Sequence, residues 1–406
     1  MRKPQVWVLF SRGVMTEMNV LERIRALMAE RSVKQNDLAA TLGVSEAVVS
    51  RLLSGERKLA AAELGAIADR LRTTTGYLLG RTTADVRPFA VAARLGSTEH
   101  AAELDPVFAR ARTLLELRGV LSRLVESPAR EAAVEVNRPT TSMYKIAGDQ
   151  MGERLRVALG LGDEPIGDLV ELVESRFGVD VSLEPLPEAL HGVFITDPSP
   201  AEDAGRVSVM LVNSADLYGR QRFTLAHELA HLLFDDADLY WADYRQDDEL
   251  DLTELRANRF ASAFLMPAAG VRALMSEMGS APEETRARNE WVARLVVETS
   301  LRFGVSIDAA IYRFDNLKLW EPRDKAFAKG RTATSLIAMA GRNEDRAQLS
   351  EFEHVVAPPP GLTGQALFAY AEGMVGIEPL AQLWKSEDAE ALRSQLADAG
   401  WAPTYA

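Results

Sequence analysis

Cysteine is absent from the 406 residues. That excludes a disulfide framework and any thiolate metal site, so a bound metal would have to rely on imidazole and carboxylate. No stretch approaches the roughly 18 apolar residues of a membrane span, and a membrane enzyme is not expected. The apolar run Val6 to Phe10 after a basic start is too short for the core of a signal peptide. Cysteine-free and unexported, the chain reads as cytoplasmic. Histidine is scarce as well, with five residues.

What is present is an ordinary globular composition, 47% hydrophobic and 26% charged, enough for two to four domains. The net charge of −13 is unevenly spread. Residues 1–90 carry 14 basic and 9 acidic side chains, and the remainder carries 32 and 50. A basic head on an acidic body is the asymmetry of a DNA-binding domain joined to something else.

Two of the five histidines lie four apart in Phe223-Thr224-Leu225-Ala226-His227-Glu228-Leu229-Ala230-His231-Leu232-Leu233-Phe234. The run lacks Gly and Pro and is rich in Leu and Ala, so it predicts a helix. His227 and His231 then project from one face, one turn apart, and can grip one metal ion, with zinc the natural choice for neutral imidazoles. Glu228 is placed to act as base toward a water whose pKa zinc lowers to roughly 7. A second helix runs from Thr253 to Pro267. Its face of Glu254, Ala257, Asn258 and Ala261 offers Glu254 as third ligand, two alanines that permit close approach, and Asn258 to hydrogen-bond a ligand histidine.

These residues, Arg220-Gln221-Arg222-Phe223-Thr224-Leu225-Ala226-His227-Glu228-Leu229-Ala230-His231, then Glu254-x-x-Ala257-Asn258-x-Phe260-Ala261 and Leu265-Met266-Pro267, resemble the ImmA/IrrE family of metallopeptidases. The resemblance covers about Tyr144 to Trp320. It implies a gluzincin-type zinc site with ligands His227, His231 and Glu254 and acid/base Glu228, and regulated cleavage of a repressor protein. It assigns no proton donor by position; His191 and Tyr218 are candidates. Asn213 and Arg222 flank the metal helix as candidates for binding substrate.

Toward the amino terminus, apolar positions at helical spacing from Asn19 to Gly80 predict about five short helices. Gln35 to Leu42, Gly43-Val44-Ser45 and Glu46 to Arg51 follow as helix, turn and helix, with Ser45 as N-cap. Leu38-Ala39, Leu42-Gly43-Val44-Ser45, Val49-Ser50-Arg51, Gly55 and Arg57 resemble the Cro/C1-type (XRE family) domain. The resemblance implies phosphate contact by Gln35 and a recognition helix bearing Ser45, Glu46, Ala47, Ser50 and Arg51, with Arg51 the base reader. Lys34 replaces the usual capping hydroxyl, and Ala47 cannot hydrogen-bond a base.

The expected organisation is a multidomain chain: extension 1–15, all-α helix-turn-helix head 16–81, helical linker 82–139, α+β gluzincin-like metallopeptidase domain 140–320, and helical C-terminal region 330–406. Strand-like runs at Val179 to Leu183, Val193 to Ile195 and Val207 to Val212 precede the metal helix, and an edge strand there could take a substrate peptide. A helix, Gly304 turn and Ser306-capped helix echo the head; a second DNA-binding unit is one reading, but without a basic recognition face a structural helical pair packed on the peptidase is the preferred one. The whole reads as a transcriptional regulator of double-stranded operator DNA fused to a zinc endopeptidase that cleaves a repressor or antitoxin-like protein. The alternative is a transcription factor whose peptidase-like domain is a non-catalytic sensor or dimerisation module. A homodimer is left open.

Overall fold

The computed structural model describes residues 19–30, 33–71, 78, 101–125, 134, 136–139, 141, 143–188, 190–196, 207–234, 252–345 and 354–403. The chain divides into two units, residues 1–89 with 197–206, and residues 90–196 with 207–406. The extension 1–15 lies outside the described residues.

The first unit contains α1 (Val20–Glu30), α2 (Gln35–Leu42), α3 (Glu46–Leu53) and α4 (Ala61–Arg70). Ile24, Leu27, Leu38, Val49, Leu52 and Ile67 close its core. Of the expected fifth helix, only Leu78 is described, and it is helical and buried. Helix α2 stops at Gly43, whose φ of 64° suits a residue without Cβ. The Val44 N–H then reaches Ala39 O (3.0 Å) and the Gly43 N–H reaches Ala40 O (3.3 Å), which satisfies the last carbonyls. At the other end Lys34 has no acceptor to offer, and Asp37 Oδ2 accepts the Lys34 N–H instead (2.8 Å). Ser45 has the extended backbone of an N-cap, but its hydroxyl makes no cap bond. Burial of Val49, Leu52 and Leu53 holds α3 in place of that cap.

The second unit runs through α5 (Ala101–Leu124), α6 (Tyr144–Ala158), α7 (Leu169–Phe177), β1 (Val179–Glu184), β2 (Gly192–Thr196), β3 (Ser208–Asn213), α8 (Tyr218–Phe234) and α9 (Leu252–Leu265). Then follow α10 (Ala268–Glu277), α11 (Thr285–Phe303), α12 (Ile307–Leu317), α13 (Pro322–Lys329), α14 (Ala333–Ala340), α15 (Pro360–Ala371), α16 (Glu378–Trp384) and α17 (Ala389–Asp398). It is mostly helical. The three strands fall where their β-branched runs predict, in the order β1-β3-β2, with β3 parallel to β1 and antiparallel to β2.

Alternation along the strands gives the sheet two working faces. Val181, Phe194, Met210 and Val212 join one core with Leu225 and Leu229 of α8. Asp180 and Glu184 meet α5, the helix expected as a linking arm. There Arg118 Nε donates to Asp180 Oδ2 (2.8 Å) and Arg110 Nε to Glu184 Oε1 (2.6 Å). The C-terminal region ties in at the same place. Arg118 also reaches Gln365, Arg110 donates to the carbonyls of Gln382 (2.7 Å) and Leu383 (2.8 Å), and Lys385 Nζ lies 2.5 Å from Glu184 Oε2. Burial opposes the Glu184 charge, but Lys385, Arg110 and Ser182 outweigh it and hold the carboxyl below its ordinary range. Leu183 and Ala357 exchange backbone hydrogen bonds of 2.8 and 3.0 Å, covering the outer edge of β1. Among the described residues this leaves β2 as the open edge.

Glu174 sits beside this junction, where its carboxylate accepts the N–H groups of Val181 (3.0 Å) and Gly361 (2.8 Å). Burial pushes its pKa up to about 7, with Asp180 adding to the rise against those N–H groups and Arg118. Between pH 4.5 and 7 the folded chain therefore holds a proton that the unfolded chain has lost, so this group's contribution to stability declines as pH rises through that window. Urea denaturation at pH 5.5 and 8 should show Glu174→Gln gaining on the wild type at the higher pH by on the order of 2 kcal/mol. An identical pH dependence in the two proteins would refute the assignment.

Helix α9 is held on both sides. Its alanines Ala257 and Ala261 are fully buried where it packs against α8. On the opposite side Gly148 and Gly152 of α6 admit its backbone so closely that a Cβ at Gly148 would lie 2.4 Å from Arg256 O, and one at Gly152 2.9 Å from Phe264 N. Buried Arg156 and Arg313 satisfy carbonyls at its C-terminus, donating to Phe264 O and Met266 O (both 2.7 Å). Burial pulls Arg313 down to about 10.

Candidate metal centre and nucleic-acid interface

Helix α8 buries Leu225 and Leu229 on the core side and leaves His227, Glu228 and His231 also buried, 5%, 5% and 2% exposed, under α9. Glu254, in the first turn of α9, closes the group. The Nε2 atoms of His227 and His231 lie 3.0 Å apart, and each is 3.2 Å from an oxygen of Glu254. Zinc ligands at about 2.0–2.2 Å in a tetrahedron stand roughly 3.3–3.6 Å from one another. The three ligand atoms are thus nearly at the spacing a zinc ion needs.

The tautomer agrees with that use. His227 Nδ1 lies 3.1 Å from Asn258 Oδ1, an acceptor, so the proton resides on Nδ1 and the Nε2 lone pair faces Glu254 and His231. His227, His231 and Glu254 are the one cluster of three or more metal-ligating side chains among the described residues.

Strand β2 passes directly over the helix. A Cβ at Gly192 would lie 2.4 Å from Thr224 Cγ2 and 3.5 Å from Glu228 Cγ. The Asn213 N–H donates to His191 O (2.8 Å), which sets the phase of the antiparallel ladder. Val193 and Ile195 consequently bond to β3, and Gly192 and Phe194 turn their N–H and C=O groups outward.

Four other sequence candidates have partners outside the cluster. His191 Nδ1 pairs with Asp216 Oδ2 (2.9 Å) in the turn before α8. Tyr218 precedes His227 by nine residues, about 13 Å along the helix, and its hydroxyl accepts from Arg222 Nη1 (3.4 Å). Asn213 is buried and pins the 186–190 turn, with Nδ2 2.9 Å from Leu190 O. Arg222 is buried too and donates to the carbonyls of Ile166 (2.6 Å) and Gly167 (2.8 Å). Asn213 and Arg222 are scaffold. Sequence reasoning missed the clamp at the far end of α8, where the Arg256 guanidinium lies over Phe234 (4.1 Å) and Tyr144 (5.4 Å), and Arg138 Nε caps Leu233 O (3.0 Å). Its only signal was an arginine two residues beyond Glu254.

In the first unit Gln35, Ser45, Glu46, Ala47, Ser50 and Arg51 are all exposed, and Val49, Leu52 and Leu53 on the other side of α3 are buried. Arg51 Nε rests on Ala47 O (3.4 Å), a contact weak enough to exchange for a base edge. In binding assays with operator variants, Arg51→Ala should relax discrimination at one base pair by about 1 to 3 kcal/mol. Undiminished discrimination would transfer the role to another residue.

Comparison with known proteins follows the same division. Residues 23–84 match the model of the Cro/C1-type HTH DNA-binding domain, and residues 174–315 match the peptidase-family model of the IrrE N-terminal-like domain. The radiation response metalloprotease IrrE of Deinococcus deserti is 35% identical over 108 residues, which make up 26% of this chain and 34% of that protein. The chain thus spans about a third of that relative's length. A solved Mycobacterium tuberculosis transcriptional regulator is 20% identical with a TM-score of 0.25, over 52% of this chain and 54% of its own, a likeness too slight to carry argument. No helix among the described residues is long and apolar enough to cross a membrane.

Proposed function

We propose that this chain, which carries a Cro/C1-type helix-turn-helix DNA-binding domain ahead of an IrrE-like metallopeptidase-family domain, is a regulator whose second unit is a gluzincin-type zinc endopeptidase acting on a repressor or antitoxin-like protein. The convergence of His227, His231 and Glu254 beside Glu228 carries this reading. When bound, zinc would supply a Lewis acid that polarises the scissile carbonyl and makes water a nucleophile near neutral pH. Glu228 takes a proton from the attacking water and returns it to the leaving amine. Asn258 keeps His227 in the tautomer that turns Nε2 inward.

The substrate adds to β2 as an extended strand, hydrogen-bonded to the outward groups of Gly192 and Phe194. Gly192, having no side chain, lets β2 lie close against α8 beside Glu228, so a strand added to that edge runs past the carboxylate. Such binding selects an exposed, unpaired segment and suits regulated cleavage better than digestion of folded proteins. In the head, Gln35 contacts phosphate and the exposed face of α3 enters the major groove of operator DNA.

The test is incubation of the full chain with co-encoded candidate proteins, with and without a chelator, read by mass. Chelator-sensitive cleavage of one partner at one site is the expected result. Cleavage that persists in chelator, or no cleavage of any partner, would count against an endopeptidase.

A further inference from the structure

Residues 286–317 echo the head as helix, glycine turn and serine-capped helix, and the fold shows why that echo is not a reading head. Ile307, Ala310, Ile311, Arg313 and Phe314 of α12 are buried, and its exposed positions, Asp308 and Tyr312, offer no cation to a groove. Its exposed side carries Tyr312, 58% exposed and the most exposed aromatic ring among the described residues.

The cations that α12 lacks come from the segment after it. Residues 318–331 hold Lys318, Arg323, Lys325, Lys329 and Arg331 against Glu321 and Asp324, within a region, 91–406, that is otherwise strongly acidic. Asp324 is buried and taken up by Arg288 at 2.6 and 2.7 Å. Glu321 is shared between Arg288 (2.9 Å) and Arg323 (3.0 Å), and Asp315 holds Lys325 (2.7 Å). The remaining positive charges are carried differently. Lys329 Nζ lies 4.8 Å above the Tyr312 ring and the Arg331 guanidinium 5.3 Å above Phe327. A ring steadies a cation without neutralising it, so both keep their full charge on an exposed surface. Lys318, at the end of α12, is exposed as well.

We propose that the α12–α13 face is a second DNA-contacting surface, binding the sugar-phosphate backbone of duplex DNA through Lys318, Lys329 and Arg331 with Tyr312 packed against the strand. Long, flexible cationic side chains presented from helix ends and rings can reach phosphates past the exposed acids Asp308 and Glu321. The proposed contact is with sugar and phosphate alone. The contact is therefore indifferent to sequence and sensitive to salt. It supplies affinity and leaves selection to Arg51 in the head.

The experiment is fluorescence anisotropy of the full chain with a 30-base-pair mixed-sequence duplex over a series of salt concentrations. Lys329→Glu with Arg331→Glu should weaken binding about tenfold near 0.1 M salt and flatten the dependence of log K on log salt by about 2, one unit for each lost phosphate contact. Tyr312→Ala should weaken binding several-fold and Tyr312→Phe should not. Circular dichroism and zinc content should match the wild type. If the charge-reversed protein misfolds, the neutral pair Lys329→Gln and Arg331→Gln gives the same reading with the same change of slope. Wild-type affinity and slope in a folded charge variant would overturn the proposal and leave the head as the sole DNA contact. So would variants that lose an acidic protein or single-stranded partner but retain the duplex.

Discussion

Changing Glu228 to Gln should lower peptide cleavage about a hundredfold or more while leaving zinc content intact. Glutamine keeps the volume and polarity of the side chain but cannot take the proton, and the candidate ligand atoms belong to His227, His231 and Glu254. DNA binding by the head should be unaffected, since Glu228 lies in the other unit. The comparison separates an enzyme from a sensor that merely retains its metal. A wild type that cuts nothing, together with a Glu228→Gln protein that regulates its promoter equally well in cells, would sink the peptidase reading.

The second large effect concerns the metal itself. One zinc per chain is expected by elemental analysis, and His231→Ala should bring it well below stoichiometry. Its Nε2 stands 3.0 Å from the corresponding atom of His227, and no other cluster of suitable side chains occurs among the described residues. Because an ion that binds only the folded state stabilises it, a chelator should lower the melting temperature of the wild type by several degrees and leave the His231→Ala protein unmoved. A variant that keeps one tightly bound zinc would show that the ligand set has been misidentified.

How much of this was legible in the chain depended on whether the signal was local. The three strands, α8, α9 and the turn at Gly43 follow from periodicity and turn chemistry confined to a few residues. The juxtaposition of Glu254 with the two histidines was also legible, because alanines at 257 and 261 mark one face of a helix for close approach. Gly148 and Gly152 carry the same message for the opposite face of α9, but in a helix a hundred residues away, and nothing near them names the partner. Residues 101–124 read as a linker for a similar reason. Arg110 and Arg118 find their acids on alternate positions of β1, and no rule of spacing connects a helix to a strand sixty residues downstream. His191 and Tyr218 looked suitable by chemistry alone, and the helix rise of about 1.5 Å per residue carries Tyr218 out of reach.

The covering of β1 by residues from the C-terminal region has a consequence for the order in which the protein is made. Glu184 is buried between Arg110 and Lys385, and the outer edge of β1 is completed by Ala357. A ribosome that has just added Glu254, the last of the three clustered side chains, must add about 130 more residues before Lys385 exists, which at about 5 to 20 residues per second takes from roughly 7 to 26 s. During that interval the sheet under α8 has an exposed edge and an incompletely paired acid, whereas the helix-turn-helix segment, residues 23–84, has already been synthesised. The helix-turn-helix domain is therefore made well before the packing around β1 can be completed, and the second unit closes last.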